Sequence, residues 1–334
     1  MSTQLAYAGI DVSKRKFDLA LRIDGRITTQ RSFPNTAAGV AQLIDLLPAE
    51  PASWRIVLEA TDRFHERLSD ALAAQPGCEV MLVNPRRAHY YMAAVCHRAK
   101  TDRIDARGLA LLAEEIKERF ILYVTPSPLA RELQLLGRHL YQLANQRAKC
   151  RNRLSSLDRQ QPIHARAIAS QQTMVAMLLQ QANNLVDMMV ELMRTDEIAG
   201  RCFDRLIQVD GLAETIASQL LSELVILPWD MTSRQWTAAA GLDPRARKSG
   251  QADPPRRISR MGNKYLRRAL YIAALSLTRH HDQVRTYYLY LQEQGKPKKL
   301  ALTIISRKLL HAIWVMLHRN QPFLAEKSFS VPAS

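Results

Sequence analysis

Paired cysteines are missing from this chain. Its four cysteines, Cys78, Cys96, Cys150 and Cys202, are widely scattered, and no C-x-x-C pair occurs. That argues against a thiolate zinc site and points to a reducing, cytosolic setting in which the cysteines are packing residues. No apolar stretch reads as long enough to span a bilayer, and no signal-peptide pattern opens the chain, so a membrane partner is not expected. Acids are scarce: 31 Asp and Glu stand against 47 Lys and Arg, a formal net charge of +16 with a pI near 10.0. Such an excess implies a polyanionic partner, nucleic acid before any other. With 334 residues, 47% of them hydrophobic, the chain has material for two or three globular domains.

The stretch "YAGIDVSKRKFDLAL" places Asp11 at the end of a short apolar run that reads as a central strand. An acid at the seam of two strands is costly unless its charge is paired. It is either a turn or cap aspartate, or a metal ligand at the edge of a sheet, and the second reading requires other acids. Downstream, strand-like and helix-like segments alternate up to about residue 120. "ITTQRSF" gives a possible third strand, "NTAAGVAQLIDLL" a helix capped by Asn35 or Thr36, and "WRIVLEA" a strand ending in Glu59. Helix, strand and helix then follow through "DRFHERLSDALAAQ", "CEVMLVNP" and "RRAHYYMAAV". The order predicts a mixed sheet flanked by helices.

Further along, Leu136, Leu140, Leu143, Cys150, Leu154 and Leu157 fall on one heptad seam, broken by Arg147. Ile168, Val175, Leu178, Ala182, Leu185, Met189 and Leu192 fall on a second. This spacing predicts two long helices packed as a hairpin or as an oligomeric coiled coil, with the methionines Met174, Met177, Met188, Met189 and Met193 in the core. From about Arg201, "LIQVDGLAETIASQLLSEL" outlines a helix-hairpin-helix around Gly211, whose turn amides suit phosphates; a plain helical turn fits it equally.

Two constellations carry chemistry. Asp102 and Asp105, three residues apart on a predicted helix, share a face and supply the acids that Asp11 and Glu59 need. Four carboxylates in this order suggest an RNase H-like, RuvC-like core with Mg²⁺ (or Mn²⁺) facing phosphate. Solvated helix acids paired with Lys100, Arg103 and Arg107 are the alternative. Between Gly241 and His280, Arg and Lys dominate. A basic loop contains Ser249-Gly250, and Arg245, Arg247, Lys248, Arg256, Arg257, Arg260, Lys264, Arg267 and Arg268 are candidate phosphate contacts. A serine there suits attack on phosphorus beside guanidinium groups, although Ser-Gly in a loop is ordinarily a turn. No histidine is near it in sequence, and His280 and His281 read as helix-surface residues.

Taken together, "GIDVSKRKFD", "LEATDRF", "NPRRAHYYMAA", "AKTDRIDARGLA", "VDGLAETIA", "AAAGLDPR", "KSG" and "ISRMGNKYLRRALY" resemble the pilin-gene-invertase-like insertion-sequence transposases, described as bridge-RNA-guided DEDD recombinases. The resemblance covers almost the whole chain. It implies that Asp11, Glu59, Asp102 and Asp105 bind metal and that Ser249 is the nucleophile. It also implies a RuvC-like domain over 1–125, a coiled-coil hairpin over 126–198, a C-terminal transposase domain over 199–325 and a flexible tail over 326–334. A non-coding guide RNA, double-stranded donor and target DNA, and dimers pairing into a tetramer complete the picture, in the cytoplasm at the nucleoid. Two positions depart from the pattern: Ala213 replaces a hairpin glycine, and Asp62 follows the threonine in "EATDRF". A RuvC-like nuclease or junction resolvase using water, and a non-catalytic nucleic-acid-binding or RNA-chaperone protein, are the competing expectations.

Overall fold

The protein is described by a computed structural model covering residues 5–47, 53–60, 63–95, 102–116, 121–158, 165–245 and 257–332. Two compact units divide the chain, Met1–Thr125 and Pro126–Ser334. The first unit is built on a five-stranded sheet. Its strands are β1 (Leu5–Val12), β2 (Lys16–Ile23), β3 (Arg26–Pro34), β4 (Ser53–Glu59) and β5 (Cys78–Val83), in the order β3-β2-β1-β4-β5. β1, β2 and β3 pair antiparallel, whereas β1, β4 and β5 pair parallel. Asp24 and Gly25, both at positive φ, form the tight turn between β2 and β3, as an Asp-Gly hairpin connection requires.

Alternation along the strands sends side chains to opposite faces of the sheet. Ala6, Ala8, Ile10, Phe17, Leu19, Ile56 and Leu58 face one side. There they bury Val40 and Leu43 of α1 (Ala37–Leu46) and Leu68 and Leu72 of α2 (Glu66–Ala73). The opposite face carries Val57, Met81 and Val83 against Ala88 of α3 (Pro85–Val95) and Leu109, Leu112 and Ala113 of α4 (Asp102–Glu115). Helix α4 lies directly on β1. A Cβ on Gly9 would stand 2.1 Å from the Ala110 amide nitrogen and 2.2 Å from the Ala106 carbonyl oxygen. Gly9 is therefore a condition of that packing.

The second unit is mostly helical. It comprises α5 (Pro128–Asp158), α6 (Ala165–Arg194), α7 (Glu197–Ile207), α8 (Glu214–Leu224), α9 (Ser233–Ala239), α10 (Lys264–His280), α11 (Asp282–Glu293), α12 (Lys298–His318) and α13 (Ala325–Ser328). A short antiparallel pair, β6 (Pro244–Arg245) with β7 (Arg257–Ile258), lies between α9 and α10. One continuous core runs through it from Leu133, Leu140 and Leu143 of α5 and Leu185, Met189 and Met193 of α6 to Ile305, Leu309 and Ile313 of α12. The two long helices thus share a core with the helices that follow them.

Two expectations change. Met189 and Met193 are buried, but Met174, Met177 and Met188 are 47%, 59% and 54% exposed. Those three lie off the heptad phase of Leu178, Leu185 and Leu192 and so point out of the hairpin. In addition, α12 is long and apolar enough to cross a membrane by length and composition. It is instead the central core helix of this unit, with Ala301, Leu302, Ile305, Leu309, Leu310 and Ile313 buried. Of the cysteines, Cys202 is buried in α7, where burial pushes its thiol up to about 11; Cys96 lies outside the described residues.

Candidate functional site

Asp11 and Glu59 end neighbouring parallel strands. The register pairs Ile10 with Leu58, so the two acids follow side by side. Asp11 is two residues beyond Gly9 and Glu59 two beyond Val57, so both are on the face that α4 covers. The direction of α4 is fixed by its ion pair. Arg22 Nε donates to Glu114 Oε2 across 2.6 Å, and Arg22 pairs with Tyr7 in the ladder, near the start of β1. With Glu114 there and Ala106 and Ala110 over Gly9, the helix runs antiparallel to β1. Its first turn, holding Asp102 and Asp105, arrives at the strand end where Asp11 and Glu59 stand.

β1, β4 and α4 therefore bring Asp11, Glu59 and the first turn of α4 to one end of one sheet face. Asp11, Glu59 and Asp105 are half-buried, and the side chain of Asp102 lies outside the described residues. Among the described residues, no three acids, imidazoles or thiols close on a common point. Carboxylate oxygens of this kind suit a hard divalent cation that keeps waters and takes further oxygens from phosphate.

A fifth acid stands beside them that the sequence pattern did not single out. Asp18 is the ladder partner of Asp11, so the two carboxylates share the α4 face. Asp18 is 3% exposed and lies 3.0 Å from Lys16 Nζ. Its signal in the sequence is its place in the alternation: Phe17, Leu19 and Leu21 face the other way.

Ser249 lies outside the described residues, as do Arg247, Lys248 and Arg256 and the side chain of Arg245. What the structure shows is the frame from which that segment departs and to which it returns. Pro244 pairs with Ile258 and Arg245 with Arg257, so positions 245 and 257 are held side by side. Below the pair, the Ser259 hydroxyl donates to Asp243 Oδ1, and the amides of Ser259 and Arg260 donate to the carbonyls of Asp243 and Gly241. The Asn263 amide donates to Ala239 O across 2.6 Å. Gly262 makes that contact possible, because a Cβ there would meet Ala239 O at 2.1 Å.

The basic residues expected on nucleic acid divide into two groups. Arg257, Arg260 and Lys264 are exposed beside this frame. Arg267 turns inward and donates from Nη1 to Ala240 O at 2.8 Å; burial, then the nearby Arg260, holds its guanidinium below the ordinary range. Arg268 donates to Asn145 Oδ1 at 3.2 Å and covers the Tyr141 ring at 4.5 Å. These two serve the packing of α10, and a helical wheel alone does not separate them from Lys264. His280 and His281 lie at the far end of α10, about 25 Å from its start at 1.5 Å per residue.

The hairpin expected around Gly211 is present as α7, a turn and α8. Gly211 has φ +94° and packs on α10, where a Cβ would stand 3.2 Å from His280 Cβ. Ala213, where a glycine was expected, is the N-cap of α8 in extended conformation and makes no side-chain cap. Asp62 lies outside the described residues.

Comparison with known proteins adds four findings. Residues 8–160 match a family described as "Transposase", and residues 204–289 match the "Transposase IS116/IS110/IS902 family". The pilin gene-inverting protein of Moraxella bovis is 25% identical over 327 residues, covering 95% of this chain and 97% of that protein. The pilin gene-inverting protein of Moraxella lacunata matches with the same identity and coverage.

Proposed function

This chain is an IS110-type transposase, a DNA recombinase by family, and from that premise we propose that it cuts and rejoins DNA through a covalent Ser249–phosphate linkage, at sites selected by a guide RNA. The observation that carries the reading is the meeting of Asp11, Glu59 and the first turn of α4 at one end of the sheet. The strand order β3-β2-β1-β4-β5, with β2 alone antiparallel to the other four strands, supports an RNase H-like core.

The residues divide the work. Asp11, Glu59, Asp102 and Asp105 supply the hard oxygens that hold Mg²⁺, or Mn²⁺ in its place. When bound, the cation supplies charge that orients phosphodiester oxygens and offsets the charge of a departing one. Ser249 Oγ attacks phosphorus: the Oγ–P bond forms, the P–O bond to one sugar breaks, the serine proton leaves, and the released sugar oxygen is protonated. Attack by a hydroxyl of the incoming strand reverses these steps, releases the serine and joins the DNA. The exposed cations Arg257, Arg260 and Lys264 hold phosphates near the loop.

Sequence choice then falls to RNA paired with donor and target DNA, and the protein reads shape and backbone. The net charge of +16 supports two polyanionic partners. Acids of one subunit act with the serine of another, in dimers that pair into a tetramer at the nucleoid.

A nicked suicide substrate incubated with the protein and Mg²⁺ tests the reading. A denaturation-resistant DNA–protein species should accumulate and should contain phosphoserine at position 249. Free DNA ends with no adduct would instead establish a water-using nuclease.

A further inference from the structure

The second unit contains a cavity of about 900 Å³ between α9, α12 and the segment leading to α13. Its lining is strongly basic: Arg234, Arg307, Lys308, His311, Arg319 and Lys327, against the single acid Asp243. That acid is engaged by the Ser259 hydroxyl. Arg234, Arg307, Arg319 and Lys327 are exposed, and among the described residues no carboxylate pairs with them. Lys308 is turned inward to the Ser328 carbonyl at 2.8 Å. Burial, then the charge of Arg307, holds its ammonium below the ordinary lysine range, as expected where cations crowd without counter-charge.

The cavity also has an apolar side, formed by Val315, Pro322 and Leu324. Cations around an apolar floor are what a single strand needs: guanidinium and ammonium groups for its phosphates, and an apolar surface for sugars or bases. A duplex presents phosphates outward on a wide cylinder and has no exposed base to place on that floor. At about 900 Å³ the cavity is at the large end of ligand-sized sites, which span about 300–1,000 Å³.

We propose that this cavity seats an unpaired nucleic-acid strand, with phosphates on Arg234, Arg307, Arg319 and Lys327 and a sugar or base against Val315, Pro322 and Leu324. Asp243 and Pro244 line the same cavity and lead into the strand five residues before Ser249. A strand opened for exchange would thus be held beside Asp243 and Pro244, from which the basic segment departs. That last consequence rests on the serine reading, whereas the binding site does not.

The test is anisotropy binding of a short fluorescein-labelled oligothymidine, an oligouridine of equal length and a duplex, over a range of salt. The double variant Arg307→Gln/Arg319→Gln should weaken single-strand binding by at least about tenfold. It should also lower the slope of log K against log[salt] by about 1.4, two lost contacts at about 0.7 each. Arg234→Gln/Lys327→Gln, on other parts of the lining, should do the same independently, so a folding defect in one pair leaves the other decisive. The exposed pair Arg151→Gln/Arg153→Gln on α5 removes equal charge elsewhere and should leave the slope unchanged. A preference for oligothymidine would identify the occupant as substrate DNA, and one for oligouridine as guide RNA. Unchanged binding in both cavity pairs, equal loss in the α5 pair, or equal loss for the duplex overturns the proposal. Ser249→Ala should bind as the parent does, so a failed serine mechanism and a failed cavity give different results.

Discussion

Asn263 Nδ2, at the start of α10, donates to Glu223 Oε2 in α8 across 2.6 Å. The other end of the same amide caps α10, since Asn263 Oδ1 accepts from the amides of Tyr265 and Leu266. Glu223 is 2% exposed and also accepts from Arg138 Nε at 3.1 Å and Gln134 Nε2 at 3.2 Å. One buried carboxylate therefore ties α5, α8 and the N-terminus of α10 together, below the strand pair that carries the serine segment.

Glu223→Ala should accordingly cost about 3 kcal/mol, because it leaves Arg138 and the Asn263 amide without their acceptor in a buried place. Urea unfolding followed by circular dichroism measures this. Glu223→Gln retains one acceptor oxygen and should cost less. A loss within error for Glu223→Ala would mean that water replaces the carboxylate and that the anchor is not structural.

Asp11 and Asp18 oppose each other in the β1–β2 ladder, and Asp18 lies 3.0 Å from Lys16 Nζ. Like charges directly opposite destabilise a ladder, so Asp11→Ala should change cation-free stability by less than about 1 kcal/mol. Mg²⁺ should raise the melting temperature of the parent by mass action and leave that of Asp11→Ala unmoved. Asp18→Asn should keep the rise, since its charge is already taken by Lys16. Recombination should vanish in Asp11→Ala. A full Mg²⁺ response in that variant would remove Asp11 from the cation site.

The hairpin of α5 and α6 gives opposite predictions for two apolar residues eight positions apart on α6. Leu185 is 6% exposed within the core, and Leu185→Asp should cost more than about 4 kcal/mol and unfold the second unit. Met177 is 59% exposed, and Met177→Asp should change stability by less than about 0.5 kcal/mol. In the proposed tetramer, the exposed methionines of α6 offer an apolar surface to another subunit. Sedimentation should then show a smaller particle for Met177→Asp with its fold intact. An unchanged particle would place the subunit contact elsewhere.

The sheet was legible because β1 and β4 are short apolar runs, each ended by an acid, Asp11 and Glu59. Helix α4 was legible for the same reason, with Asp102 and Asp105 one turn apart. Asp18 was not, because its neighbours Phe17 and Leu19 explain the strand without it, and only the register shows that it shares a face with Asp11. The inward turn of Arg267 was equally hidden. Its partners are backbone carbonyls at Ala240 and Gly262, which a side-chain pattern does not contain. The basic cavity draws on Arg234, Arg307 and Lys327, far apart in sequence and joined only by the fold. The apolar run of α12 does not alternate with a polar face as a surface helix does, and only the fold shows that it is the core of the second unit.

Ser249→Ala is the sharpest test of the mechanism, because a Ser-Gly serine in a basic segment would ordinarily matter little to stability. The frame beneath the loop does not depend on it. The β6–β7 pair, the Ser259–Asp243 bond and the Asn263–Ala239 bond are all made by other residues. The variant should therefore melt within about 0.5 kcal/mol of the parent. DNA and RNA binding should persist, since phosphate contacts come from the surrounding cations. Strand exchange should disappear, and no covalent DNA–protein species should form on a nicked substrate. Ser249→Cys should retain weak activity, because a thiol also attacks phosphorus. Normal exchange by Ser249→Ala would end the covalent mechanism and leave water, acting at the acids of the first unit, as the nucleophile.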